Sequence, residues 1–308
     1  MRHLFIALIL IATFINFGCR SIVTSSKCGD GDSILTFRSF GNGRPVLILA
    51  GGPGHASFYM DSVAKKISLM GYRAIVVNQY GTDSAVLRFD TARITLPQFV
   101  EDIERLRKFL GYSSFVLLGH SWGGTLAMAY VEKYPTTTSG LILSCSGAFG
   151  KEPNNRLMKN IDERLLPSDK AAINAWYDSL EAGIDEKRVA LEQRRIRQIA
   201  FSYSRNNHQR IVNEIVNTSP FFIQVGNRMF ADVWIHHDYT VMSHLKTYPS
   251  PVLVLEGRQD VMSVETAQLI QSCFTKAQLT IIEQCGHYPW VDNPTPYFAQ
   301  IKSFLKVK

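Results

Sequence analysis

Cysteine is scarce in this sequence, and no two of Cys28, Cys145, Cys273 and Cys285 are spaced like a metal-binding pair, so no metal site is expected. Cys273 should end a helix and Cys285 the following strand, too far apart for a disulfide. Basic residues exceed acidic ones, 33 to 26, but they are scattered, with no basic stripe interleaved with aromatics. Nucleic acid is therefore not an expected partner. There is no Gly-x-x-x-x-Gly-Lys and no dinucleotide fingerprint, so no phosphate-bearing cofactor is expected. Internal repeats and low-complexity runs are absent too, which excludes a solenoid. What is present, 46% hydrophobic and 19% charged residues in 308, suits a globular enzyme with a large core.

One long apolar run stands out, from Leu4 to Phe17 behind Arg2 and His3. Fourteen residues are short for a membrane span and suit the hydrophobic part of an export signal. The run ends at Gly18-Cys19, which resembles a bacterial lipoprotein signal with Cys19 as the lipidated residue, although Asn16 and Phe17 depart from that pattern. Lipidation at Cys19 with a membrane tether, plain secretion, and an uncleaved anchor are the alternatives. The expected location is outside the cytoplasm.

The rest is organised around Val116-Leu117-Leu118-Gly119-His120-Ser121-Trp122-Gly123-Gly124. An apolar strand stops at Gly-x-Ser-x-Gly and passes directly into helix formers. A serine on such a turn is lifted clear of the sheet, the small glycines letting strand and helix approach. Around it, short apolar strands alternate with amphipathic helices. Strands are expected over 33–40, 44–49, 73–77, 115–118, 141–143, 251–255 and 279–282, the first two joined by Gly41-Asn42-Gly43 as a hairpin. Helices are expected over 58–70, from Thr95 as cap with Gln98 completing a capping box, over 264–272 and over 294–305. Between 148 and 244 the alternation stops, and helices are expected over 169–181, behind a Ser168 cap, and over 186–203. The organisation is a signal segment (1–18), a tether (19–32), a doubly wound, mostly parallel α/β core (33–147 and 245–308) and an inserted helical cap (148–244).

Ser121 needs a base, and the base needs an acid to fix its tautomer. Asp260 lies just past the strand ending at Leu255, and His287 just past the next strand. The chain order Ser121, Asp260, His287 is the order of this architecture, and carboxyl ends of strands converge on one crevice. Glu256 and Asp83 are the alternative acids, and His120 is expected to be structural. The backbone N–H groups of Trp122 and Gly52 are the expected oxyanion donors.

The serine pentapeptide, Gly51-Gly52-Pro53-Gly54, Gly257-Arg258-Gln259-Asp260 and Gly286-His287 together resemble the α/β-hydrolase superfamily over nearly all of residues 33–308. Gly-Gly-Pro-Gly and Ser-Trp-Gly-Gly resemble the proline iminopeptidase family more narrowly, whose members release N-terminal residues from short peptides. That resemblance implies a cap carboxylate for the substrate's amine, with Asp178 or Glu181 as the candidates beside Trp176. The sequence departs from the family at Ala50, where His is usual, in Asn78-Gln79-Tyr80-Gly81, and in Trp176-Tyr177-Asp178-Ser179-Leu180-Glu181, which lacks a second tryptophan. The expected function is a serine hydrolase acting on a short peptide or other small molecule, and the resemblance implies an aminopeptidase of the proline iminopeptidase kind. A carboxylesterase or lactonase, its pocket shaped by Trp176, Phe221, Phe222 and Trp234, is the enzymatic alternative. A noncatalytic binding protein on the same scaffold is the alternative of another class.

Overall fold

The computed structural model describes residues 23–28, 35–82, 89–207, 209, 212, 221–236 and 244–306. Eight strands form one sheet: β1 (Val23–Cys28), β2 (Leu35–Phe40), β3 (Arg44–Leu49), β4 (Tyr72–Asn78), β5 (Phe115–His120), β6 (Thr138–Ser144), β7 (Val252–Gly257) and β8 (Ala277–Ile282). Their order is β1-β2-β4-β3-β5-β6-β7-β8, antiparallel at β1–β2–β4 and parallel from β4 onward. The doubly wound, mostly parallel architecture expected from the alternation is thus the observed one.

Two local expectations about the sheet fail. The Gly41-Asn42-Gly43 connection closes no hairpin, because β4 lies between β2 and β3 and pairs with both. Gly41 and Gly43 carry the chain across the start of β4 with positive φ; a Cβ on Gly41 would meet the Ser68 side chain, and one on Gly43 the Gly71 carbonyl just before β4. A turn signal reports the bend, not which strand fills the gap. The segment read as a tether also contributes an edge strand, β1, paired along its whole length with β2.

The sheet is covered on both faces, which is why its strands show no polar alternation. Leu47, Leu49, Leu117, Leu141, Leu143 and Val254 pack on one side against α2 (Leu96–Phe109) and α3 (Trp122–Lys133). Val46, Ile48, Val116, Leu118, Leu253 and Leu255 pack on the other, with α1 (Asp61–Ser68) and the C-terminal helix. Helix α2 buries Phe99, Ile103 and Leu106 as its four- and three-residue spacing requires. Thr95 caps it, Oγ1 accepting from the Gln98 N–H at 3.3 Å.

The inserted segment carries α4 (Lys151–Arg164), α5 (Pro167–Glu181), α6 (Glu186–Arg197) and α7 (Phe222–Phe230), the last running into a π-helical turn, Ala231–His236. Ser168 does not cap α5. The helix starts at Pro167, and the Asp169 carboxylate takes the Leu166 N–H at 2.9 Å. The core closes with α8 (Val264–Ser272) and α9 (Pro294–Lys306). Among the described residues, no helix is long and apolar enough to cross a membrane. Residues 1–18 and Cys19 lie outside the described residues.

Candidate active site

Ser121 sits between β5 and α3 at φ 57° and ψ −123°, a conformation L-residues rarely adopt. The turn is held by the Ser121 N–H donating to the Ser144 carbonyl of β6 at 3.1 Å, and by Gly124 N–H donating to the Ser121 carbonyl at 2.9 Å. It tolerates no side chain beside it. A Cβ on Gly119 would meet the Gly123 carbonyl, and one on Gly123 would meet that of Leu49. Strain of this kind persists only where the surroundings over-determine it, and it concentrates at functional sites.

The loops after β7 and β8 bring Asp260 and His287 together. His287 Nδ1 lies 3.0 and 2.9 Å from the two Asp260 carboxylate oxygens, with both residues buried. Met262 N–H also donates to Asp260 at 3.1 Å. Burial alone would raise the Asp260 pKa, but the charge and hydrogen bond of His287 outweigh it and hold the carboxyl below its ordinary range. Glu256, the alternative acid, is fully buried at the end of β7. Burial, then the Asp260 charge, pushes its pKa well up, which favours the protonated form of Glu256 beside Asp260. Asp83 lies outside the described residues.

Cys145, at the end of β6, places Sγ with Asp260 and His287 in a cluster whose donor atoms all lie within 4.8 Å. As a metal site the chemistry fits poorly. His287 Nδ1 is committed to Asp260, and burial pushes the thiol well above its ordinary range, whereas a metal needs a thiolate. The thiol is fully buried and does not line the cavity above it.

The glycine loop after β3 faces Ser121 from the other side. Gly51 N–H is taken by the Tyr59 hydroxyl, which also lies 3.0 Å from His120 Nδ1. His120 Nε2 lies 2.9 Å from the His287 carbonyl, so a buried chain Gly51–Tyr59–His120–His287 joins the loop to the histidine. Burial, followed by the His287 charge, lowers the His120 pKa to about 3, so it serves as a neutral hydrogen-bonding link. Gln79 ties the loop to the other wall. Its Nε2 donates to the Ala50 carbonyl at 2.8 Å, and its Oε1 accepts from the Trp122 indole at 2.9 Å.

Ser121 stands where two cavities meet. The larger, about 670 Å³, is lined by Gly51, Gly52, His55, Arg194, Phe222 and His287 among others. The smaller, about 200 Å³, is mostly apolar, with Trp122, Ala148, Phe230, Trp234 and Met262 in its wall. Of the residues expected from sequence, Ser121, His287, Gly52 and Trp122 therefore surround one space, with Asp260 directly behind His287. Asp178 and Glu181 do not join them: both are exposed on α5, which packs on α6, and α6 is the helix that faces the cavity. Trp176 lies on the same outer helix, its ring 5.9 Å from the Arg188 guanidinium. Of the four aromatics expected to shape a pocket, Phe222 and Trp234 do so. Phe221 stacks on Phe89 at 4.0 Å instead.

A family model described as the alpha/beta hydrolase fold matches residues 44–294. The chain belongs to that family. Among relatives of this hydrolase, the proline iminopeptidase of Saccharolobus solfataricus is 29% identical over 279 residues, 87% of each chain. That of Heyndrickxia coagulans is 27% identical over 293 residues, 89% of this chain and 94% of the relative. The solved proline iminopeptidase of Mycobacterium smegmatis superposes with TM-score 0.69 at 21% identity, covering 92% of this chain and 98% of its own. An esterase of Exiguobacterium antarcticum reaches the same TM-score at 19% identity, covering 92% and 100%, so the shared architecture spans both peptidase and esterase. The narrower resemblance read from Gly-Gly-Pro-Gly and Ser-Trp-Gly-Gly agrees with these relatives.

Among the residues of the hydrolase's site that escape the sequence reading are Tyr59, Gln79, His55, Glu186 and Arg194. Gln79 carried a signal, since it stands in the partial family segment Asn78-Gln79-Tyr80-Gly81. Ala50, where the family usually has histidine, contributes its carbonyl to Gln79. Arg194 is one of four arginines in α6, and nothing local marks it as the one lining the cavity beside Phe222, its guanidinium 4.8 Å from that ring.

Proposed function

We propose that the hydrolase is a serine enzyme in which Ser121 is the nucleophile, His287 the general base and Asp260 the group that fixes the imidazole tautomer. The observation carrying this reading is the bond of His287 Nδ1 to Asp260, which keeps the proton on Nδ1 and leaves Nε2 to serve Ser121 on the wall of the same cavity. Ser121 Oγ loses its proton to His287 as it bonds to the substrate carbonyl carbon. His287 then returns the proton to the leaving group, and water repeats the sequence on the acyl-enzyme. The oxyanion is held by the N–H of Trp122, in the first turn of α3 where helix geometry leaves donors unpaired, and by that of Gly52. Gly51 is the poorer candidate, because Tyr59 occupies its N–H.

The substrate class best supported is a short peptide with a free N-terminus, on the strength of the relatives named proline iminopeptidase. Its amine would fall to Glu186, the carboxylate residue in the wall of the larger cavity. A carboxylic ester or lactone is the second reading, favoured by the apolar lobe beside Ser121. Export through residues 1–18, with Cys19 lipidated or the signal simply removed, belongs to the same proposal. Undiminished palmitate labelling of Cys19→Ser would exclude Cys19 as acceptor.

A fluorophosphonate probe tests the central point. Folded protein should be labelled at Ser121, and the absence of that adduct would favour a binding role. Rates on prolyl and alanyl arylamides against p-nitrophenyl esters then separate the two enzymatic readings: turnover of esters alone rejects the aminopeptidase.

A further inference from the structure

We infer that Arg194 is a specificity residue that receives a carboxylate of the substrate, so the preferred substrates carry an anionic group a short distance from the scissile bond. The inference rests on the hydrolase reading above and specifies its substrate class. Arg194 stands on the face of α6 that Glu186, Ala190 and Arg197 also present to the larger cavity, at four-, four- and three-residue steps. Its Nη1 is shut off from solvent and has no hydrogen-bond partner. Among the described residues no carboxylate lies in ion-pair range of the guanidinium, whose contact is the Phe222 ring at 4.8 Å. Arg197, by contrast, donates to the Tyr177 hydroxyl at 3.4 Å.

The charged groups nearby do not supply the missing partner. His55, which shares the wall, has its pKa lowered by burial and by the Arg194 charge, and an imidazole supplies no anion in either form. Glu186 is two helical turns away, about 12 Å along the axis, and exposed. Burial weakens the guanidinium's hold on its proton, bringing its pKa to about 10, yet it stays charged at neutral pH. A charged guanidinium whose Nη1 is shut off from solvent without a partner is unfavourable in the empty enzyme and becomes favourable when a ligand brings the complementary anion. Its planar fork matches a carboxylate with two parallel N–H donors. This is how a site discriminates: a substrate lacking the anion leaves the donor unpaired.

The carboxylate can sit on either side of the scissile bond. On the leaving side it is the C-terminal carboxylate of a dipeptide, whose amine Glu186 would hold. On the acyl side it is a dicarboxylic half-ester or half-amide. Two matched pairs distinguish them: alanyl-alanine against its C-terminal amide, and p-nitrophenyl hydrogen glutarate against p-nitrophenyl butyrate. In one pair, kcat/KM should favour the anionic member by about thirtyfold or more, the scale of a charge-assisted bond in a desolvated site. Arg194→Met should bring that ratio close to one, and Arg194→Lys should restore part of it.

Labelling of Ser121 by the fluorophosphonate probe is followed alongside, with and without millimolar glutarate. Glutarate should slow labelling of the wild type but not of Arg194→Met. Labelling without an anionic preference in either pair, or an equal preference in Arg194→Met, overturns the inference and leaves the hydrolase reading intact. No Ser121 labelling in folded protein overturns the hydrolase reading itself. Glutarate binding by calorimetry then decides for Arg194, which requires binding that Arg194→Met abolishes.

Discussion

The sheet and the cap contribute to the site by different rules. Every reacting group proposed here stands just beyond a parallel strand: Gly52 after β3, Ser121 after β5, Asp260 after β7 and His287 after β8. The strands before Gly52, Ser121 and Asp260 are buried through most of their length, so a shift of one would disturb packing on both layers. The cap contributes through faces of α4, α6 and α7, and α4 and α6 are mostly solvent-exposed on their other sides. Chemistry is thus placed on rigid strand ends, and recognition on helices that can change sequence at little cost to the core. If that division holds, substitutions at strand ends should abolish turnover for all substrates, whereas substitutions in the cap should reorder substrates.

The largest effect tests the division at its centre. Ser121→Ala and His287→Ala should each lower kcat by about four orders of magnitude or more, with little change in melting temperature. Because the groups act as one unit, the double variant should be no worse than either single. Additive losses in the double variant would mean that Ser121 and His287 do not act together.

Next in size is Gln79, which bridges the two walls carrying the proposed oxyanion donors. Gln79→Leu keeps the volume and removes both bonds, leaving the Trp122 indole and the Ala50 carbonyl unpaired. Loss of alignment there should lower kcat about 10- to 100-fold while KM stays within a factor of a few, for peptide and ester substrates alike. A change confined to KM would assign Gln79 to substrate binding instead.

The same contrast explains what could be read from sequence. The strands announced themselves as short apolar runs, and Ser121, Asp260 and His287 could be found because each follows such a run in the chain order of the fold. Pairing was less legible: Gly41-Asn42-Gly43 looked like a hairpin because β4, thirty residues on, had not yet been placed between its arms. The cap hid most. An amphipathic pattern shows that a helix has an inner face but not what that face meets, so the family resemblance pointed to Asp178 and Glu181 on α5, whereas α6 is the helix that brings Glu186 and Arg194 to the cavity. The tether held β1 because an edge strand with Thr24, Ser25, Ser26 and Lys27 has no apolar run to reveal it.

A smaller effect sits behind the triad and has a sign that pH reveals. Burial, then the Asp260 charge, raises the Glu256 pKa well above 4.5 in the folded protein. Between the ordinary carboxylate value and that raised one, the folded chain keeps a proton that the unfolded chain has released. Stability contributed by this group therefore falls as pH rises through that window. Asp260 has the opposite sign: its depressed pKa adds stability above the ordinary value, and that is lost as pH falls through the folded one. Glu256→Gln removes only the first dependence. It should raise the melting temperature at pH 8 and leave it nearly unchanged at pH 4. Equal shifts at both pH values would show that Glu256 is not the group titrating.

The smallest expected effects compare one helix cap in each region. Thr95 caps α2 in the core, and Asp185 caps α6 in the cap domain, its carboxylate accepting from the Arg188 N–H at 3.0 Å. Either change to Ala should cost about 1 kcal/mol of local helix stability. The consequences should differ because the helices are held differently. Helix α2 buries Phe99, Val100, Ile103 and Leu106, so Thr95→Ala should lower the global melting temperature by about 2 °C. Helix α6 buries only Val189 and Gln193, so its first turn can fray without opening the core. Asp185→Ala should accelerate hydrogen exchange at residues 186–190 with no measurable change in melting temperature. Since Glu186 stands in that turn, KM for a free-amine substrate should rise while kcat for a simple ester holds. A global melting shift matching that of Thr95→Ala would mean the cap unfolds with the sheet, and the division between the two regions would then describe sequence, not stability.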